Sequence, residues 1–442
     1  MFKLFKKKPK KDIFKTGEFN MSDINPFKEH EIITALIYAN DFVDTVYPAC
    51  ASCYGISKDK NQEYDQKIGY IGRRVKSHHT SILEHSNVLI QSFVPLKDTD
   101  TLEEDMFNYN KSIKKDLCSI EFSSECIIAE ILEVRDLSRY LSVYTDIIPD
   151  RNGNPILRMT FGGSIRGYRY IFENIINRNN KLFISIFNVL KLIVPQEFFI
   201  DFINDEVMNE YSTIEIDSLL KENISTSVVD YNSTDMIDVI NKDDLEKISK
   251  LLVLPKENCL DFVSITVDFK NMSRIITQQV TRHRNAITQE SQRYVNYANA
   301  KVNSPAIFKD KYDPEKKYST FIGEVTFDEL GNKLSSIYKD LLDQGVEKED
   351  ARGYLPMNVQ CGNLYLTFTL RTLLVFLDLR LDPHAQAEVN LYAHELANLM
   401  ASYSLFSDDD TLGKTINVYS KPRYKKESIM LDDLYNSIDE EV

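Results

Sequence analysis

Two short segments hold the residues best suited to chemistry. The first is Gln279-Val280-Thr281-Arg282-His283-Arg284, and the second, Ser291-Gln292-Arg293-Tyr294, follows a six-residue spacer, Asn285 to Glu290. Guanidinium groups grip phosphate oxygens through paired hydrogen bonds and keep their charge at any working pH. The hydroxyl and amide groups beside them add contacts for a sugar or a base. The ordinary alternative is a salt-bridged surface helix. Acidic partners at helical spacing are few here, with Glu290 the near one, and the whole chain carries a net charge of −14. A cation cluster so placed calls for an anionic ligand.

Four blocks in order resemble the flavin-dependent thymidylate synthases. Arg282-His283-Arg284, the spacer and Ser291-Gln292-Arg293-Tyr294 resemble that family's R-H-R, spacer, S-x-R-Y signature. His79-Thr80-Ser81-Ile82-Leu83-Glu84-His85 resembles its H-x-(S/T)-x-x-E-H element. Ala351-Arg352-Gly353-Tyr354-Leu355-Pro356-Met357-Asn358 resembles A-R-x-x-L-P-x-N, and Leu370-Arg371 through Arg380 to Glu388 resembles the closing helix. The likeness spans roughly residues 30–95 and 260–405.

The resemblance implies the division of labour. Ser81, Arg282, His283, Arg284, Gln289 and Arg371 would contact FAD. Gln279, Arg282, Ser291, Gln292, Arg293, Arg352 and Arg380 would hold dUMP. Arg380 would be the catalytic group, its fixed charge favouring the N3-deprotonated, electron-rich pyrimidine. The implied reaction takes its carbon from methylenetetrahydrofolate and its hydride from FAD reduced by NADPH, giving dTMP. A pyrimidine nucleotide hydroxymethylase of the same family, with water in place of hydride, is one alternative. A non-catalytic nucleotide-binding protein is the other.

Covalent activation of uracil by a cysteine thiolate has no support, because no Pro-Cys-His element occurs. Six cysteines are scattered along the chain, and Cys50-x-x-Cys53 lacks two further ligands at zinc-site spacing. The pair reads as reduced structural thiols, which suits a cytoplasmic protein. His384 and His394 form no His-Glu-x-x-His spacing, so no metal is expected. His79 and His85 read as structural hydrogen-bonding groups, and His283 is the functional histidine.

The elements that must position these residues read as α+β: a mixed or antiparallel twisted sheet flanked by helices, with a largely helical insertion. Pro26 to Tyr47 has helical spacing and predicts a first helix, and Tyr64 to His79 a second, basic one. Asn87 to Val94 and Phe262 to Phe269 read as strands. Met272–Val280, residues 180–194 and Phe327–Leu342 read as helices, the last with Asp328 and Glu329 at its start. Leu364 to Met400 predicts a long helical region broken at Asp382-Pro383. Arg371 and Arg380 are nine apart, so at ~100° per residue they lie on opposite sides of one helix. The resemblance implies an answer: sites shared between subunits of a homo-oligomer.

Two spacings depart from the family pattern: the spacer Asn285 to Glu290 has six residues where the family has seven or more, and the second departure is larger. Residues 86–281 separate the His79–His85 block from Arg282, where the family has a short connection. The domains expected are a basic disordered tail (1–25), an N-terminal part of the catalytic domain (26–95), an insertion or degenerate second lobe (96–258), the main catalytic part (259–427) and an acidic tail (428–442). Within 96–258, Arg158 to Phe172 faintly echoes Thr367 to Phe376, with Arg166 in the place of Arg371. Leu137 to Tyr140 echoes Met272 to Arg274 in the same way. An insertion is the preferred reading. If the echo holds, the assembly would be a dimer instead of a tetramer. The net negative charge argues against broad nucleic-acid binding, and no apolar run is long enough for a membrane span. The partners expected are small molecules: dUMP, a folate and NADPH.

Overall fold

The computed structural model describes residues 33–56, 62–95, 141–149, 153, 155–174, 181–191, 193–195, 198, 236–254, 256–283, 285–305 and 312–402. They fall into two compact units that interleave in sequence. The first takes Met1–Phe42, Ser86–Ser227 and Lys247–Asn258; the second takes Val43–His85, Val228–Glu246 and Cys259–Val442.

The first unit is built on a four-stranded antiparallel sheet. Its strands are β1 (Ile33–Ala39), β2 (Val88–Pro95), β3 (Ser142–Pro149) and β4 (Pro155–Gly163), in the order β1-β2-β4-β3. The expected helix over Pro26–Tyr47 is corrected here: residues 33–39 are strand, and helix begins only at Phe42. Leu36, Ile37, Tyr38 and Ala39 are all buried, so both faces of the strand are apolar. An apolar run of that kind has no two-residue alternation to read. The turn expected at Asp150–Pro155 falls between β3 and β4, which pair up to Pro149 and Pro155; between those two only Gly153, at φ +83°, is described. Two helices follow, α3 (Ile165–Asn174) and α4 (Lys181–Leu190), the latter packing along β1.

The second unit carries a matching sheet, β5 (Ile237–Lys242), β6 (Ser264–Lys270), β7 (Ala286–Gln289) and β10 (Asn363–Thr369), ordered β5-β6-β10-β7. Its helices are α1 (Phe42–Cys53), α2 (Tyr64–Lys76), α6 (Arg274–Val280), α7 (Phe327–Asp343), α8 (Leu370–Leu381) and α9 (Ala387–Ser402). Helix α5 (Leu245–Leu252) straddles the two units, and a small hairpin pairs β8 (Tyr318–Thr320) with β9 (Gly323–Val325). The long helix expected from Leu364 is also corrected: Asn363–Thr369 is the strand between β6 and β7. Leu364 to Phe368 are buried on both faces, the same cause as for β1. The break at Asp382-Pro383 separates α8 from α9. Residues 96–258, expected to be largely helical, contribute β3, β4, β5 and α3, α4, α5 among the described residues. The polar stretch 222–235 and the echo at Leu137–Tyr140 lie outside them, as do both charged tails.

Local signals fix the helix starts. Thr326 caps α7, its side chain accepting from Glu329 N while the Glu329 carboxylate accepts from Thr326 N. Thr369 caps α8 by accepting from Thr372 N. That cap contributes about 1 kcal/mol and aims the helix that carries both arginines. Beneath α8, Phe376 meets Phe368 at 5.2 Å and Phe269 at 6.3 Å between ring centroids. No described helix is long and apolar enough to cross a membrane.

One glycine is irreplaceable for two reasons. Gly362 has φ +63°, and a Cβ there would lie 2.6 Å from the Glu290 carboxylate, which Tyr297 Oη holds at 2.7 Å. Gly362→Ala is therefore expected to destabilise the fold by about 2 kcal/mol or more. Urea denaturation checks this, and an unchanged midpoint would contradict it.

Candidate functional site

The second unit contains a cleft of about 690 Å³. One wall comes from the end of α1 and the residue after it (Cys53, Tyr54), Arg74 near the end of α2 with Ser77, His78 and His79 beyond it, and Ser81 in the 3-10 turn Thr80–His85. The other wall is β7 (Ile287, Thr288, Gln289) and the turn after it (Ser291, Arg293, Tyr294). Backbone contacts join the walls: Ser291 N donates to Cys53 O at 3.1 Å, and Cys53 Sγ to Gln289 O at 3.4 Å. Tyr54 stacks on Tyr294 with centroids 5.2 Å apart and rings 22° from parallel. Tyr54 Oη also meets His79 Nδ1 at 3.1 Å.

Arg74 stands over Tyr54, its guanidinium 3.8 Å from the ring centroid, and donates from Nη2 to Tyr70 Oη at 3.2 Å. Its Nε is buried without a hydrogen-bond partner, and so is Gln289 Nε2. A buried orphan donor costs about 1–3 kcal/mol, and two of them on residues of one cleft favour an acceptor-rich ligand. Among the described residues no carboxylate lines the cleft, whereas Arg74 and Arg293 do. Aromatic faces, cations and free donors together suit a planar cofactor bearing phosphates.

His85 holds the floor of this wall. It is fully buried, with Nδ1 2.9 Å from Thr367 Oγ1 and Nε2 2.8 Å from Thr288 Oγ1. Burial lowers its pKa from 6.5 to about 3, so the folded protein keeps it neutral. Between those values the unfolded chain binds a proton that the folded chain refuses. The contribution of His85 is thus complete above about pH 6.5 and is lost as pH falls toward 3. Stability is expected to drop by about 2 kcal/mol from pH 7 to pH 5 through this group. His85→Gln should flatten that part of the slope in urea titrations; an unchanged slope would contradict the assignment.

A second polar group gathers at the end of α8. Arg380 donates from Nε to His283 Nε2 at 2.9 Å and from Nη2 to Gln279 O at 3.3 Å. His283 must then accept at Nε2, which requires the neutral ring. Desolvation, reinforced by the Arg380 charge, lowers its pKa to about 4. Burial and the nearby Arg282 charge lower that of Arg380 in turn. Gln279 Nε2 donates to Gln386 Oε1 at 2.8 Å.

The residues expected in the site thus separate. Ser81, Gln289, Ser291 and Arg293 line the cleft, while Gln279, Arg282, His283 and Arg380 surround the end of α8. Arg293 Nε binds Glu349 Oε2 at 2.8 Å, and Arg352 Nε binds Glu349 O at 3.0 Å, so one residue ties both arginines. Gln292 Nε2 turns to Cys361 Sγ at 4.0 Å. Arg371, at the opposite end of α8, is paired with Asp261 at 2.8 Å. Arg284 lies outside the described residues. Sequence reasoning missed Arg74, Tyr54 and Tyr294 as cleft residues; the basic end of Tyr64–His79 was the available signal.

The model of the thymidylate synthase complementing protein family matches residues 216–403. The flavin-dependent thymidylate synthase of Pyrococcus furiosus is 30% identical over 171 residues, covering 38% of this chain and 68% of that protein. That of Pyrococcus horikoshii is 32% identical over 173 residues with the same coverage. That of Geobacter sulfurreducens is 29% identical over 154 residues, 35% of this chain and 63% of its own.

Proposed function

This chain belongs to the flavin-dependent thymidylate synthase family, and on that premise we propose that it converts dUMP to dTMP, with methylenetetrahydrofolate as carbon donor and NADPH-reduced FAD as hydride source. Family membership makes it an enzyme of the methyltransferase type with a flavin cofactor. The observation that supports the finer reading is the cleft with two orphan donors, stacked tyrosines and no carboxylate among its described residues.

In this proposal Ser81, Gln289 and the Arg282-His283-Arg284 run hold FAD, with Arg371 near the same cofactor. Gln279, Arg282, Ser291, Gln292, Arg293, Arg352 and Arg380 hold dUMP, the exposed guanidiniums taking its phosphate. When bound, the reduced flavin supplies the hydride that completes the methyl group. The chain's own residues bind, orient and polarise. Arg380 is held on one side by neutral His283 and on the other by the Gln279 carbonyl, a fixed charge already in place before substrate arrives.

Thiolate activation of the pyrimidine is disfavoured by the thiols themselves. Burial pushes Cys50 up to about 12, Cys53 to about 11 and Cys361 to about 11, so none ionises near neutrality. Cys53, the one at the cleft, spends its proton on Gln289 O. The reading includes a cytoplasmic homo-oligomer acting on small molecules, with catalytic parts in 26–95 and 259–427. Titration of the purified full chain with FAD tests it: visible flavin absorption bound to protein is expected. Binding of dUMP with no uptake of flavin would favour a non-catalytic nucleotide-binding protein.

A further inference from the structure

We infer that the chain is an internal duplication, two copies of one α+β lobe fused in tandem, of which one copy retains a binding cleft. The sheets β1-β2-β4-β3 and β5-β6-β10-β7 have the same strand order once each is numbered along its own copy. General connection rules restrict strand orders, so order alone would be weak support. The match continues residue by residue. Val88 pairs with Ala39 and Gly163, as Ile265 pairs with Lys242 and Phe368. Counting back from those pairs, a register shift falls at the same step in both first strands, between Leu36 and Tyr38 and between Val239 and Asn241.

The ends of the strands close alike. Asn40 N donates to Asn87 O at 3.0 Å and Asn87 N to the Asn40 side chain at 2.9 Å. At the matching positions, Asp243 N donates to Ser264 O at 2.9 Å and Ser264 N to the Asp243 side chain at 2.7 Å. The last strand of each copy runs into a helix with the same cap. Ser164 Oγ accepts from Gly167 N at 3.1 Å, and Thr369 Oγ1 from Thr372 N at 3.2 Å. Two residues beyond each cap stand Arg166 and Arg371. A one-residue slip would break every one of these equivalences.

The two copies also exchange a segment. The connection between β1 and β2 belongs to the second unit over Val43–His85, while that between β5 and β6 belongs to the first over Lys247–Asn258. Exchange of an equivalent element between two copies is a known route to paired folds, and here both exchanged segments belong to one polypeptide. It also accounts for residues 86–281 standing between the His79–His85 block and Arg282. The block sits in the connection of the first copy, and the arginines in the second copy.

The exchange is unequal, and among the described residues it furnishes a cleft in the second copy. Residues 41–86 carry α1, α2 and the 3-10 turn, and so supply Tyr54, Arg74, His79 and Ser81. The described residues of 244–263 carry only α5 and a short 3-10 turn. The end of α5 is fastened by buried Arg158, which donates to Leu252 O at 3.1 Å and to Val253 O at 3.4 Å while its Nε binds Asp146 at 2.7 Å. Gln91 Nε2 adds a bond to Leu252 O at 3.0 Å. By register, Asp146 occupies in the first copy the place of Glu290 in the second. A salt bridge thus stands in the first copy at the position that, in the second, lies between the cleft residues Gln289 and Ser291.

Two measurements on the full chain test this, and the first does not depend on the flavin reading. Ser291→Cys places a second thiol beside Cys53, and mild oxidation followed by non-reducing peptide mapping finds where it links. A disulfide between Cys53 and the thiol introduced at position 291, formed within single chains, is expected. A link joining two chains, or free thiols at both positions, would overturn the duplication as drawn. The second measurement rests on the proposed flavin site: titration of wild-type chain with FAD should saturate at one FAD per chain. Saturation at two would show that the first copy kept its cleft. An intrachain link with no FAD bound would fault the flavin assignment while supporting the duplication.

Discussion

Arg380→Ala is expected to leave FAD affinity within about threefold of wild type while lowering the turnover of dUMP by on the order of 10²–10³. The asymmetry follows from where the side chain is held. Its partners are His283 Nε2 and the Gln279 carbonyl; neither lines the cleft, and of the residues assigned to FAD only His283 loses a contact. A preorganised positive charge gains its effect as negative charge develops on the pyrimidine, so its removal raises the barrier more than it weakens binding. Lysine should recover little, since a single ammonium cannot reproduce the planar fork that meets both partners. A second readout accompanies the first. The Arg380 charge is the lesser of the two causes lowering the His283 pKa, so the variant's His283 should titrate above about 4, followed by NMR. Equal losses of FAD affinity and turnover would show that Arg380 serves the cofactor instead.

The second large effect is expected at Arg74, a residue outside the four recognisable motifs. Arg74→Met keeps the apolar stem over Tyr54 and removes the charge and the buried Nε donor. FAD affinity should fall about 100-fold, the ~2.7 kcal/mol of a lost charge-assisted bond. Folding stability should move much less, because Nε has no protein partner to lose, and the bond to Tyr70 is a modest part of the packing. Flavin titration beside urea denaturation separates the two. Unchanged affinity, or a stability loss as large as the binding loss, would make Arg74 a structural residue.

What could be read from the sequence depended on whether a signal was local. The Thr326 capping box, the β3–β4 turn and the break at Asp382-Pro383 are set by neighbours in the chain, and all were legible. Residues 33–39 and 363–369 were misread as helix because both are strands buried on both faces and therefore without alternation. Motif spacing found Ser81, Gln289, Ser291 and Arg293, which line one cleft. It could not find Arg74, whose basic helix reads like any solvent-facing one, nor the Tyr54–Tyr294 stack, which exists only after α1 meets the turn behind β7. The nine-residue spacing of Arg371 and Arg380 did predict separate surroundings: one is held by Asp261, the other by His283. The echo around Arg158–Phe172 was legible only as a faint likeness, because what the two sheets share is register and capping, with few side chains in common.

The proposed chemistry is tested most directly by the product made from dUMP. The full chain, supplied with methylenetetrahydrofolate, FAD and NADPH, is expected to release dTMP, with none formed when NADPH is withheld from oxidised enzyme. Hydroxymethylated nucleotide formed without NADPH would contradict the synthase reading and assign the chain to the hydroxymethylase chemistry of the same family.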